Sequence, residues 1–137
     1  MRTTVIDVTT GRDETVRDLT GECERFVGQA ADGADGVLLV FVPHATTGLA
    51  VLELGSGSEE DLLRVLRRLL PSEERWRHAH GSPGHGRSHV LPAVCPPYAT
   101  LPVLGGRLAL GTWQRVALVD LNVDNVRRQV RLSFLPG

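Results

Sequence analysis

Residues 37–54 read VLLVFVPHATTGLAVLEL, two apolar segments joined by a short polar connector. Val37–Val42 is continuously apolar, which is typical of a strand covered on both faces. The proline that follows ends this strand, because proline has no backbone N–H to donate to a neighbour. Leu49–Leu54 predicts a second strand, in which Glu53 lies on the face opposite the core. We therefore expect the two strands to form a hairpin, with His44 at the end of the first.

The sequence on either side of this pair predicts further elements. Arg2–Val8 alternates like a strand, and apolar residues at helical spacing between positions 16 and 30 predict a helix beginning near Thr10. A second helix follows Ser58, with Asp61 in a capping-box position. Its predicted buried stripe consists of Leu62, Val65, Leu66 and Leu69. The remaining predicted strands are Val90–Val94, Thr100–Leu104, Arg107–Leu110, Arg115–Leu121 and Arg127–Leu135. Gly105-Gly106 is the predicted turn between the second and third of these. The last strand alternates, with polar residues including Ser133 on one face and Val130, Leu132 and Phe134 on the other.

Most connections between these elements are short, which favours antiparallel pairing. We therefore predict the α+β class: a compact single domain over residues 1–137, with mainly antiparallel sheets in a sandwich-like arrangement and two helices. At 137 residues the chain is long enough for a real core, and its 42% hydrophobic and 23% charged content is ordinary for a soluble globular protein.

Charge and hydropathy narrow the possible partners. The net charge is −1, so no basic field would attract nucleic acid. No apolar run approaches the roughly 20 residues of a membrane span, and no signal-peptide pattern occurs at the N-terminus. The sequence thus predicts a cytoplasmic location, with neither nucleic acid nor membrane as partner. All fifteen basic residues are arginine, which excludes a lysine Schiff base.

Residues 76–89, WRHAHGSPGHGRSH, contain four of the five histidines, at positions 78, 80, 85 and 89. Glycine and proline between them predict a loop, and Gly84 and Gly86 argue against a helix that would bring His85 and His89 together. Imidazole is a common ligand of zinc and related ions. We therefore predict a metal-assisted or acid/base site formed by this loop, His44 and a nearby carboxylate. No compact zinc motif occurs. An alternative interpretation therefore remains, in which the histidines are solvated on a surface loop or make that loop sensitive to pH.

Other residues allow weaker hypotheses. The segment GSGS at 55–58 precedes a helix, where it is either a phosphate site or only a cap. Trp113 and Gln114 either contact a flat ligand or belong to the core, and Arg115 is one of several arginines that can bind phosphate. Cys23 lies on the apolar side of a predicted helix, and Cys95 is either a site residue or an inert thiol.

Four patches resemble one known family. They are His44–Leu49 followed by Leu52-Glu53, Asp61 in the next helix, the pair Trp76-Arg77-His78 and Ser88-His89, and GRLALGTWQ at 106–114. In this order they resemble the YjbQ family, to which secondary thiamine-phosphate synthase activity is assigned. The sequence departs from the family at Leu52, around 84–87, and at Asp124-Asn125, where a Gly-Pro-Arg-like element is replaced.

The resemblance implies a compact α+β domain, a homotrimer and a histidine cluster that binds a divalent metal ion, zinc in the first instance. It places the metal ligands at His44, His78 and His89, and these residues with Glu53 form the implied catalytic set. His80 and His85 have no family counterpart. Trp113 and Gln114 carry over as motif residues without an assigned role, and together with Arg115 they are the candidate cofactor-binding residues.

The implied reaction joins a thiazole phosphate to an aminopyrimidine diphosphate and releases pyrophosphate, so the partner is a small phosphorylated metabolite. Two alternatives remain open at this stage. One is metal-assisted hydrolysis of a small phosphorylated or acyl substrate. The other is a non-catalytic trimeric protein that binds a metal or metabolite, which the departures at Leu52 and Asp124-Asn125 favour.

Overall fold

The computed structural model describes all residues 1–137, which form two antiparallel sheets packed with helices. The strands are β1 (Arg2–Thr9), β2 (Thr15–Asp18), β3 (Gly36–Phe41), β4 (Thr47–Leu52), β5 (Tyr98–Leu104), β6 (Arg107–Leu108), β7 (Arg115–Asp120) and β8 (Arg127–Pro136). The first sheet has the order β1-β8-β3-β5-β6 and the second the order β2-β7-β4, and together they form a curled half-barrel. This confirms the predicted α+β class with mainly antiparallel sheets.

The helices are α1 (Thr20–Ala30), α2 (Ser58–Leu69) and the one-turn α3 (His85–Ser88), and a 3₁₀ turn covers Leu91–Ala93. None of them is both long and apolar enough to cross a membrane.

The main core lies between the two sheets and α1. Its buried side chains come from β3, β8 and β5 in the first sheet, from β4 and β7 in the second, and from α1. Val116 and Leu118 of β7 face this core, whereas Val119 faces a second cluster formed with Leu66 and Leu91. Strand β7 is therefore buried on both faces, which explains its nearly continuous apolar sequence.

The two strands of residues 37–54 are present, but the predicted hairpin between them is wrong. Strand β3 lies between β8 and β5 in the first sheet, whereas β4 pairs with β7 in the second. The connector crosses from one sheet to the other, and the N–H groups of Val42 and Leu49 donate to the carbonyls of Pro97 and Pro96. Strand propensity alone does not specify the partner, because pairing depends on distant segments.

The predicted first helix begins about ten residues too early. Thr15–Asp18 is strand β2, in which Val16 pairs with Val119 of β7. The helix begins at Thr20, whose N–H donates to Asp18 Oδ1 at 2.8 Å. A single apolar residue at position 16 satisfies both helical and strand spacing, so the local pattern did not separate the two structures.

The second helix lies where it was predicted, but its buried stripe differs. Leu66 is buried in the second core cluster, and the partly buried Leu62 and Leu63 pack against that cluster. Val65 and Leu69 are more than half exposed. No capping box forms. Gly57, with φ of +98°, precedes the helix without a side-chain cap, and Asp61 instead pairs with Arg64.

The C-terminal half confirms most predictions. Strands β5 and β6 form the hairpin around Gly105-Gly106, and β8 buries Val130, Leu132 and Phe134 as its alternation predicted. Ser133, predicted for the outer face of β8, is buried and hydrogen-bonded to Thr3. Val90–Val94 is not a strand, because Pro92 lies in a 3₁₀ turn that Val94 closes by donating its N–H to Leu91 O.

Candidate metal centre

Close backbone packing shapes the loop that carries the histidines. A side chain at Gly86 would place its Cβ 2.4 Å from His78 O and 2.5 Å from Trp76 Cβ. Trp76 is itself fixed, since its Nε1–H donates to Pro71 O at 3.0 Å. The absence of a side chain at position 86 thus allows the segment around His78 to lie directly against α3.

This packing brings four imidazoles together, which we call the histidine cluster: His78, His80, His85 and His89. Their ring centroids lie 4.1–6.4 Å apart. The prediction that glycines would keep His85 from His89 is wrong, because α3 forms after Gly84 adopts a φ of +79° and the two Nε2 atoms lie 3.1 Å apart. One ring nitrogen from each of His78, His80 and His85 lies within 4.8 Å of the other two.

Asp124 orients one of these imidazoles. Its Oδ2 lies 2.6 Å from His85 Nδ1, so that nitrogen donates its proton to the carboxylate. The hydroxyl and backbone N–H of Ser82 also donate to Asp124. This pairing directs the lone pair of His85 Nε2 into the cluster, and a carboxylate behind a histidine in this way is common at metal sites.

Hydrogen bonds with Ser82 and then with His85 lower the pKa of Asp124, so the carboxylate stays ionised at neutral pH. The turn that carries it is also fixed. Asp124 N–H donates to Asn122 Oδ1, and Asn122 N–H donates to Asp120 Oδ1. The buried ion pair between Asp120 and Arg128 anchors this turn to the sheets.

The electrostatics of the cluster favour neutral imidazoles. Desolvation and then the neighbouring histidines lower the pKa of His78, and the same causes lower the pKa of His89. Several imidazolium ions so close together would repel one another. Since a metal ion binds the neutral form, the cluster favours the ligating state.

The donor set fits a divalent metal ion. Three neutral imidazoles are a known ligand set of catalytic zinc, and a fourth position then stays open for substrate or water. The cluster borders a cavity of about 440 Å³ lined mainly by residues 74–86. His78, His80 and His85 are thus the residues that would hold the ion.

The structure places His44, the first predicted ligand, apart from this set. His44 Nε2 accepts the backbone N–H of Gln129 at 2.8 Å, so that nitrogen is already occupied. Burial and then the charge of Arg128 lower the pKa of His44. It lies beside the buried pair of Asp120 and Arg128 instead of in the histidine cluster, so within one chain the structure groups His78 and His89 with His80 and His85.

Glu53, the predicted carboxylate, lies at the other end of the second sheet. Strand β4 runs from Thr47, opposite Asp120, to Leu52, opposite Arg115. At about 3.3 Å per residue, Glu53 is roughly 20 Å along the strand from Thr47. The carboxylate that contacts the cluster is Asp124.

Trp113, Gln114 and Arg115 are also at that distant end, at the start of β7. The Trp113 side chain is 70% exposed and is not a core residue. Gln114 Oε1 accepts the N–H of Gly111, and the Arg115 guanidinium donates to the carbonyl of Thr112. These two side chains hold their own turn, and within one chain none of the three contacts the cluster.

Sequence reasoning missed the supporting residues Asp124 and Ser82. One signal was present: Asp120, Asn122 and Asp124 alternate after a buried strand, a pattern typical of side chains that cap successive turns. Their relation to His85, 39 residues away from Asp124 in sequence, required the folded chain.

Comparison with known proteins agrees with this fold. The model of the UPF0047 protein YjbQ-like family matches residues 4–137. The chain is 56% identical over 137 residues to the UPF0047 protein Rv2556c of Mycobacterium tuberculosis, with all of both chains covered. It is 32% identical to a UPF0047 protein of Archaeoglobus fulgidus, covering 82% of this chain and 86% of the relative.

Two solved structures are similar over nearly the whole chain. The hypothetical protein APE1520 of Aeropyrum pernix K1 gives a TM-score of 0.88 at 33% identity, with 100% of each chain covered. A YbjQ-like protein of unknown function from Sulfolobus solfataricus P2 gives a TM-score of 0.91 at 26% identity, covering 99% of this chain and 97% of the other. Both support the α+β fold of curled antiparallel sheets.

Proposed function

The chain belongs to the UPF0047 YjbQ-like family, and we propose that it is a metal-dependent enzyme of the thiamine-phosphate synthase type. Zinc or a similar divalent ion would be bound by His78, His80 and His85. The observation that carries the proposal is the convergence of these three imidazoles, each with one ring nitrogen within 4.8 Å of the other two. The homotrimer and the cytoplasmic location stay predictions.

Asp124 supports this ligand set. A carboxylate that accepts the Nδ1–H of His85 leaves the lone pair on Nε2 and makes that nitrogen a stronger donor to a metal. In the metal-free chain this nitrogen lies 3.1 Å from His89 Nε2, so a metal ion would replace that contact. The lowered pKa values of His78 and His89 act in the same direction, because less proton competition leaves more neutral imidazole at pH 7. The cavity beside the cluster gives a small metabolite access.

The proposed reaction rests on the family resemblance together with this chemistry. A bound divalent ion would neutralise negative charge on a leaving diphosphate, which assists its displacement by a thiazole phosphate. The imidazoles of His78, His80 and His85 would hold the ion beside the cavity, where His78 and His80 are exposed. Trp113, Gln114 and Arg115 contact substrate only if another subunit brings them near the cluster.

A second candidate is hydrolysis of a small phosphorylated or acyl substrate. It is favoured by His89, an exposed imidazole whose pKa is lowered and which lies beside the three proposed ligands. A neutral imidazole in this position can accept a proton from an attacking water.

The ligand set is tested by elemental analysis of tag-free protein after gentle dialysis. We expect about one zinc or similar ion per chain, and we expect His80→Ala and His85→Ala to lose it. His44→Ala should retain the ion, which makes it a matched histidine control. Loss of metal in His44→Ala with retention in His80→Ala would instead support the ligands implied by the family resemblance. Retention by both His80→Ala and His85→Ala would overturn the proposed set.

The reaction is tested with the metal-loaded protein. Release of pyrophosphate only when thiazole phosphate and aminopyrimidine diphosphate are both present would support the transferase, and a chelator should abolish it. Turnover of single phosphate or acyl esters would support the hydrolase. Stoichiometric metal without turnover in either assay would overturn the enzyme proposal in favour of a binding protein.

A further inference from the structure

Three buried polar groups lie behind the histidine loop without a hydrogen-bond partner in the chain. They are Arg87 Nε, Ser88 Oγ and Asn122 Nδ2. The residues are at most 7% exposed, so bulk water does not satisfy them. Buried polar atoms are nearly always hydrogen-bonded in native proteins, because leaving one unpaired costs free energy. Three such atoms close together form a set that ordered water or a ligand would complete.

All three residues line one small cavity of about 30 Å³. This cavity shares Ser82–His85 with the larger cavity beside the histidine cluster, so this segment is a wall common to both. A Cβ at Gly84 would lie 3.3 Å from Arg87 Nε, which places that nitrogen at the shared wall.

The site presents donors because the other polar atoms of two of these residues are already engaged. Arg87 Nη1 donates to Leu70 O and Nη2 donates to Glu14, which leaves Nε–H. Asn122 Oδ1 accepts the N–H of Asp124, which leaves the Nδ2 amide hydrogens. The Ser88 hydroxyl can also donate. Donors from guanidinium, amide and hydroxyl groups are complementary to an oxyanion.

The charges around the cavity determine whether an anion binds with or without a metal ion nearby. The carboxylate of Asp124 also lines it and opposes an anion, although Ser82 and His85 already donate to its oxygens. Glu14 offsets the charge of Arg87. A divalent ion held by His85 on the other side of the shared wall would make the local field positive and favour the anion.

We propose that this cavity is a phosphoryl-binding subsite, in which Arg87, Ser88 and Asn122 hold one edge of a phosphate group next to the metal. Its volume admits one or two oxygen atoms, so the rest of the ligand lies outside. The proposal rests on the proposed function, since the metal supplies the positive field. Its ligand is a phosphoryl dianion, free or as the end of a phosphate ester.

The test is calorimetric titration of the full chain, metal-loaded and metal-free, with inorganic phosphate. Phenyl phosphate in parallel distinguishes a free ion from an organic ester, because only the ester adds apolar contact. We expect phosphate to bind the metal-loaded chain more tightly than the metal-free chain. Asn122→Asp should weaken binding at least about tenfold, because it keeps the acceptor for Asp124 N–H but replaces the donor with a carboxylate.

A pair of serine variants provides the matched control. Ser88→Ala should weaken phosphate binding by about threefold to tenfold while leaving the anion-free chain equally or more stable, because it removes an unpaired hydroxyl. Ser133→Ala also changes a buried serine, but this residue bonds Thr3 in the first sheet, so phosphate affinity should not change.

Failure of this proposal is distinguishable from failure of the metal site, because zinc content is measured separately. A chain that holds zinc but does not bind phosphate would show that the cavity contains only water, and would overturn the subsite. Undiminished phosphate affinity in Ser88→Ala would also overturn it, even if Asn122→Asp failed to fold.

Discussion

Asp124 determines the chemistry of His85 although it does not itself belong to the proposed ligand set. Its carboxylate accepts the Nδ1–H of His85 and thereby fixes which nitrogen faces the cluster. Ser82 in turn fixes the carboxylate. Asp124, which is outside the ligand set, therefore controls both the tautomer and the orientation of the His85 imidazole.

Replacing Asp124 with asparagine tests this control. Asparagine keeps the shape but lacks the negative charge that holds the imidazole, so zinc affinity should fall roughly 10- to 100-fold. Competition with a chromophoric chelator measures the affinity. Asp61→Asn is the control, since Asp61 is an exposed carboxylate paired only with Arg64. Equal zinc affinity in Asp124→Asn and the unchanged protein would contradict the role of Asp124.

At the scale of elements, the short helix α3 is the structure that assembles the cluster. Its one turn places His85 and His89 on the same side, and Gly86 lets the segment around His78 pack against it. The close approach of Gly86 to Trp76 and to the His78 carbonyl means that packing, more than helical propensity, fixes this turn.

A glycine comparison tests the packing of α3. Gly86→Ala should lower the free energy of unfolding by more than about 1 kcal/mol, because its Cβ would overlap backbone and the tryptophan side chain. It should also weaken zinc binding by displacing His78. Gly28→Ala lies in α1 with no atom within 4 Å of the added Cβ, so it should stabilise the chain by about 0.5–1 kcal/mol. Urea denaturation of both variants provides the measurement, and equal stability of Gly86→Ala and the unchanged chain would contradict the packing argument.

Across the whole molecule, buried polar contacts join parts that are distant in sequence. The Arg128–Asp120 pair links β8 of the first sheet to β7 of the second, and the same pair borders His44. Arg87 similarly ties α3 to Glu14 before β2. These contacts connect the histidine loop to the core of the fold. The stability of the chain is therefore coupled to the protonation of its histidines.

The stability of the metal-free chain should decrease on mild acidification. Folding lowers the pKa of His44, His78 and His89, so below about pH 6.5 the unfolded chain binds more protons than the folded chain. Above that pH these groups are neutral in both states, so their contribution to the free energy of unfolding does not change with pH. The lowered pKa of Asp124 also favours folding, but this contribution is lost only below about pH 4.

Urea denaturation with a chelator at pH 7.5 and 5.5 checks this expectation, and the midpoint should be lower at pH 5.5. His44→Gln should reduce the difference between the two pH values, because one of the contributing groups is removed. An equal or higher midpoint at pH 5.5 would contradict the direction of the pKa shifts.

Features that depend only on neighbouring residues could be predicted before the fold was known. The apolar run of β3, the alternation of β8 and the Gly105-Gly106 hairpin follow from side-chain period and turn chemistry, and they lie where predicted. The concentration of histidines in residues 76–89 likewise identified the candidate site before any contact was known.

The contacts between these features could be seen only in the folded chain. Strand β4 joins β7 and not β3, which moves Glu53 away from the histidines and leaves Asp124 beside His85. The physical reason is that strand pairing and site assembly depend on packing between segments far apart in the chain. Local periodicity carries no information about such pairs, so the residues that orient and surround the cluster became visible only in the folded chain.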